Sequence, residues 1–195
     1  DSLLILSADQ KQFFDKQGYL LLRGFYDSGE MEEMRRQYHE LVIKTDKRPQ
    51  NMSYSFMKPV AGYEPDDFNP QNVVDMMNQP LANDYWFDQF TEPRIVSVIV
   101  DLLGPNIDFH NGKIRNKPPG FTNDQDWPYE LHTEPDLAAA ITYLDPTDID
   151  AGATEVIPGG HLRGPLPTAE GTSALVQEEV PSERGVALKA ETGDV

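Results

Sequence analysis

Cysteine is absent from the 195 residues of this chain. Disulfides, thiolate metal sites and cysteine nucleophiles are therefore excluded together, and the redox compartment stays undecided. Positive charge is scarce: 16 Lys and Arg face 33 Asp and Glu, a net charge of −17, with a pI near 4.4. That balance lacks the basic footprint of a nucleic-acid binder and the polybasic cluster that docks on anionic lipid. An anionic small molecule is still allowed, because a pocket can be locally basic inside an acidic protein. No apolar run reaches the roughly 18 residues that a membrane helix requires. The start, Asp1 to Ser7, is too short and wrongly charged for a signal peptide. Also missing are a phosphate-cradling glycine loop after a strand, a serine nucleophile elbow and a helical His-Glu-x-x-His. The expectation is a soluble, cytoplasmic protein acting on a small molecule, with neither nucleic acid nor membrane as partner.

Apolar residues make up 38% of the chain and aromatics 10%, enough to build a core in one domain of this length. The 16 Pro and 14 Gly predict many loops. Ser7 with Gln10 three residues later is a capping-box pattern, so a short helix opens there and ends at Gly18. A compact apolar strand at Tyr19 to Leu22 comes next. Asp27 or Ser28 caps a second helix running to about Lys44, with Met31, Met34, Tyr38, Leu41 and Val42 on one face. Residues 46–85 are polar and rich in Pro and Asn, and read as a long irregular excursion. Thr91-Glu92-Pro93 starts a third helix, with Pro in its first turn. Its buried stripe is Ile95, Val98, Ile99, Leu102 and Leu103, and Gly104-Pro105 stops it.

Beyond Asn106 the texture becomes β-like, with strands expected at 107–115, 137–144, 154–157 and 185–190. Helices first and strands later predict an α+β chain. The best architecture is a double-sheet jelly roll (cupin-like) with the N-terminal helices packed outside it. One domain is expected over 1–195, helical over about 1–105 and jelly roll over about 106–195.

Three blocks in the second half carry chemistry. The first is His110-Asn111-Gly112-Lys113-Ile114-Arg115-Asn116-Lys117-Pro118-Pro119-Gly120. Next comes Asp124-Gln125-Asp126-Trp127-Pro128-Tyr129, and then Gly152 to Gly164 with Pro158-Gly159-Gly160-His161 inside it. In that order they resemble the phytanoyl-CoA dioxygenase family of Fe(II)- and 2-oxoglutarate-dependent oxygenases. Such enzymes hold iron through two His and one carboxylate on one face, leaving the opposite positions open. The family's first ligand pair reads His-Gln-Asp, whose i, i+2 spacing puts both side chains on one side of a strand. The resemblance therefore makes Asp126 the carboxylate ligand, and Asp124 stands where the first His is expected. A second carboxylate makes the site harder and more anionic, suiting Mg, Ca or Mn as well as iron.

His132-Thr133-Glu134 has the same spacing and competes for the assignment, although the interval to the Pro-Gly-x-His turn favours Asp124 and Asp126. Taken without the resemblance, Asp124 and Asp126 are ordinary loop acids. Lys117 matches the Lys that reaches the co-substrate, where its ammonium can pair with a 2-oxoglutarate carboxylate; otherwise it is a solvated Lys before a turn. Ile141 occupies a position that is aromatic in some relatives, and here it offers an apolar wall to the co-substrate. His110 reads as a core or supporting histidine, and His161 as a residue fixing its turn by hydrogen bonding. His39 lies in an amphipathic helix and requires no functional account. The acids between Asp145 and Asp150 read as a solvated loop.

Glycine 185 to Val195 looks like the family's run into a Gly-Asp strand. In relatives the distal His ligand and the Arg that grips 2-oxoglutarate follow it, so the resemblance implies a jelly roll truncated at its C-terminus. The leading reading is a dioxygenase that couples oxidative decarboxylation of 2-oxoglutarate, to succinate and CO₂, with hydroxylation of a small organic substrate. Two others stay open: a catalytically impaired relative acting as a binding or structural protein, and a cupin-like protein using another divalent metal at Asp124 and Asp126.

Overall fold

Residues 3–43, 52–56, 73–115, 136–169, 175–176 and 185–195 are described by the structure, a computed structural model. Helix α1 (Ala8–Gln17) forms where the capping pattern placed it. The Ser7 hydroxyl accepts from the Gln10 amide and the Gln10 side chain accepts from the Ser7 amide. Gly18 ends the helix at φ 79°, donating to the Phe14 carbonyl; a left-handed residue is reached there at little steric cost only by glycine. Helix α2 (Ser28–Ile43) is opened by a second reciprocal cap, Asp27 with Glu30.

Within 46–85 the structure corrects the expectation of an irregular excursion. Strands β1 (Ser53–Phe56) and β2 (Val73–Met77) pair antiparallel. A 3-10 turn at Gln79–Leu81 leads to helix α3 (Asp84–Phe90), capped by the Asn83 side chain on the Trp86 amide. These strands were hidden because their partners are distant in sequence. β2 is completed by β3 (Lys113–Arg115), giving the order β1-β2-β3. Helix α3 was hidden because its aromatic residues have middling helix propensity and its cap is an Asn in a polar run.

Helix α4 (Pro93–Leu103) matches its expected bounds. Later strands are shorter than expected: β4 (Glu155–Val156) pairs with β5 (Val186–Ala187), and Thr147 bridges Ala190. Residues 107–112 and 137–144 form no named strand. The Tyr143 amide nevertheless donates to Asp194 and its carbonyl accepts from Gly193, while Leu22 and Val195 exchange both backbone bonds. The chain is α+β.

It divides into two compact units. The first comprises Asp1–Phe25, Ser97–Ile107 and Pro119–Val195; the second comprises Tyr26–Val96 and Asp108–Pro118. In the second, Met31 and Met34 of α2 are buried as their spacing predicted, and Met52 and Met76 form a core cluster against Tyr38, Leu41, Ala82 and Ile114. In the first, Leu6, Val98, Tyr143 and Ala190 are buried. Each fully buried side chain of this size contributes about 1.5–3 kcal/mol.

Candidate functional site

Lys117, Asp124, Asp126, His132 and Glu134 all lie outside the described residues. Among the described residues no group of three His, Asp or Glu could hold a metal. The expected ligand segment 124–132 was not part of that set. Its donor set, two carboxylates and one imidazole, is of a chemistry that Fe(II) accepts.

Ile141 is described, and it is 49% exposed. Two residues on, Tyr143 is buried, and its hydroxyl has no hydrogen-bond partner among the described residues. Between 145 and 150 the acids do more than face solvent. Asp148 organises its turn, accepting from the Ala151 amide on its side chain and from the Ala153 amide on its carbonyl.

His110 is exposed, which corrects its reading as a core histidine. The role of His161 also differs from expectation. Its ring reaches outside its own turn, and Nε2 lies 3.0 Å from the Asp15 carbonyl in the last turn of α1. A carbonyl only accepts, so Nε2 carries the proton and donates. The ring covers Gly18, where a Cβ would fall 2.3 Å from Nδ1. Gly159 of the same turn donates to the Gln17 carbonyl at 2.9 Å. The Pro158-Gly159-Gly160-His161 turn thus caps α1 from a distant part of the chain.

Two buried carboxylates stand out that the sequence reading passed over. Asp101, 8% exposed and flanked by apolar residues near the end of α4, accepts from the amides of Leu4, Ile5 and Leu6 at 2.7–2.8 Å. Burial raises its pKa, but those three N–H groups outweigh burial and hold it below the ordinary Asp range. Asp194, 2% exposed, accepts from the Glu191 and Gly24 amides and from Arg23 Nη1 at 2.6 Å. Burial is again the largest influence, and the amides with Arg23 overcome it, so this pKa is also lowered. The available signal was an acid embedded in apolar sequence, as in Val100-Asp101-Leu102 and Gly193-Asp194-Val195, since an acid buried there has to find donors.

In the second unit a cleft of about 340 Å³ is lined by Tyr26, Gly29, Glu30, Glu33, Tyr85 and Gln89. Burial, with Glu33, Tyr26 and Glu30 adding to it, pushes the Tyr85 hydroxyl up to about 12. Both carboxylates are already engaged. Glu30 accepts from Arg94 and the Asp27 amide, and Glu33 accepts from Arg36 and Gln37. Arg94 also stacks 5.0 Å above the Tyr26 ring. These contacts tie the start of α4 to α2 and leave the cleft without an uncommitted charge.

No helix among the described residues is long and apolar enough to cross a membrane. The sequence profile of the phytanoyl-CoA dioxygenase (PhyH) family matches residues 14–195. The peroxisomal phytanoyl-CoA dioxygenase of Rattus norvegicus is 27% identical over 174 residues, covering 83% of this chain and 49% of that protein. A probable phytanoyl-CoA dioxygenase of Caenorhabditis elegans is 26% identical over 174 residues, covering 84% and 55%. A probable alpha-ketoglutarate-dependent hypophosphite dioxygenase of Stutzerimonas stutzeri is 26% identical over 165 residues, covering 80% and 54%. The chain spans about half the length of these curated relatives. With a match over all but its first 13 residues, the chain belongs to the phytanoyl-CoA dioxygenase family.

Proposed function

We propose that this chain forms the metal- and co-substrate-binding part of an Fe(II)- and 2-oxoglutarate-dependent dioxygenase that hydroxylates a small organic substrate. The observation that carries the reading is the family match over residues 14–195, together with the chemical blocks at Lys117 and Asp124–Tyr129 that fall inside it. The implied organisation is one domain, with a helical part over about 1–105 outside a jelly roll over about 106–195.

In this reading Asp126 holds the metal, Asp124 occupies the position of the first His, and His132 is the alternative nitrogen donor. Lys117 binds a carboxylate of 2-oxoglutarate, contributing a charge-assisted bond that fixes its orientation. Ile141 offers an apolar wall that keeps water from the co-substrate. When bound, iron with 2-oxoglutarate supplies the oxidising chemistry; the protein's part is binding, orientation and exclusion of water.

The test is anaerobic titration of the purified protein with Fe(II) and 2-oxoglutarate, followed by visible absorption, then succinate release in air. The expected result is a visible charge-transfer band that requires both additions, and succinate formation. Asp126→Asn should weaken metal binding by at least about tenfold, and Lys117→Ala should raise the 2-oxoglutarate requirement while leaving metal affinity intact. Tight Mn(II) or Mg(II) binding with no band and no succinate would overturn the oxygenase reading. That outcome would favour a hard-metal site, in keeping with the carboxylate at position 124.

A further inference from the structure

Helix α1 is unusual in how it is held. None of its ten residues is buried, and a free helix shorter than about 12 residues is marginal in water. Its faces are covered only in part, with Gln10, Lys11, Phe14 and Gln17 half-buried. Phe13, 41% exposed, meets Tyr19 edge-on with ring centroids 5.3 Å apart. A groove of about 360 Å³ lies between Asp9, Gln10 and Phe13 on one side and Tyr19, Leu20 and Leu21 on the other.

The ends are another matter. In front of the helix, the Asp101 carboxylate grips three consecutive amides, those of Leu4, Ile5 and Leu6. Behind it, His161 and Gly159 bond the Asp15 and Gln17 carbonyls, and the His161 ring fills the space above Gly18. These carbonyls belong to the last turn, where no intrahelical donor exists. Both fastenings are hydrogen bonds from distant parts of the same unit, 95 to 97 residues away for Asp101 and 146 for His161.

We propose that α1 is a detachable strap: it is fastened at its two ends by Asp101 and the Pro158–His161 turn, and it releases as one body while the rest of the first unit stays folded. Release bares the half-buried Tyr19, Leu20 and Leu21 and opens the groove. Asp101 and His161 are the positioning residues that set how often this happens.

Native-state hydrogen exchange of the purified protein tests the idea. The wild-type amides of Lys11 to Gly18 should exchange at one common opening equilibrium, well above that of Leu22, Tyr143 and Val195, whose amides bond across the unit. Loss of one end's fastening makes opening about tenfold more frequent, so Asp101→Asn and His161→Ala should each speed exchange in α1 by that factor. The amides of Leu22, Tyr143 and Val195 should keep their margin of protection over α1, because the lost contact lowers both openings by the same amount. His161→Gln should restore the wild-type rate, because its amide nitrogen can donate where Nε2 does. Equal protection of α1 and of Leu22, Tyr143 and Val195 in the wild type would overturn the proposal even if no variant folds. Fast exchange in α1 that ignores both substitutions would overturn it too, showing a helix that frays rather than one that is fastened. A His161→Gln variant as fast as His161→Ala would remove the rear hydrogen bond from the argument and overturn the two-ended strap.

Discussion

Asp194 shows what a single carboxylate can organise when it is buried. Its two oxygens collect two backbone amides and one guanidinium, and Arg23, 58% exposed, is the charge that balances it. Asparagine has the same shape, but it loses the charge and turns an N–H toward a donor. Asp194→Asn should cost about 2–4 kcal/mol, read as a fall in the urea midpoint at unchanged slope. The sign of the pH dependence follows from the two lowered pKa values. A group whose folded pKa is depressed contributes stability that is present above its unfolded pKa and lost as pH falls through the folded one. The protein should therefore lose stability below about pH 4, and less steeply in Asp101→Asn or Asp194→Asn. Tyr143 gives the opposite case. Its buried hydroxyl has no partner among the described residues, so Tyr143→Phe should be neutral or stabilise by about 0.5–1 kcal/mol. A clear loss on removing that hydroxyl would show that it is bonded in solution.

At the scale of elements, α2 separates contacts that matter from contacts that do not. Met31, 1% exposed, and Met34, 5% exposed, face inward, and Met31→Ala should cost about 2–5 kcal/mol in thermal or urea unfolding. The Arg36 pairs with Glu33 and Glu40 lie on the solvent side, and Arg36→Ala should leave the urea midpoint in place. The boundaries of α1, α2 and α4 were legible because their information is local: Ser7 with Gln10, Asp27 with Glu30, Pro93 at a first turn, and apolar residues at helical spacing. The β1-β2-β3 sheet was not legible, because Asp75 pairs with Ser55 on one side and Arg115 on the other, and nothing in a five-residue window specifies either partner. The site divides the same way. Asp126 and Lys117 are proposed from neighbouring residues that match a family's blocks. Asp101, Asp194 and the reach of His161 to α1 depend on groups far away along the chain, and they surfaced only in three dimensions.

For the molecule as a whole, the charge of −17 works against compactness through self-repulsion. Raising ionic strength from about 0.01 M to about 0.15 M shortens the Debye length from about 30 Å to about 8 Å. The melting temperature should rise over that interval. A fall would mean that specific surface ion pairs outweigh the overall repulsion.

The reach of the two buried aspartates also sets an order of events. Asp101 comes 95 residues after Leu6, and Asp194 comes 171 after Arg23. During synthesis the opening segment therefore emerges with neither carboxylate there to receive its amides. Contacts of such long sequence separation incur their loop-closure entropy before they return any stability, which slows folding. Residues 4–24 are made well before the carboxylates that secure them, and until then their leucines and Phe13 stay open to chaperones and to neighbouring chains.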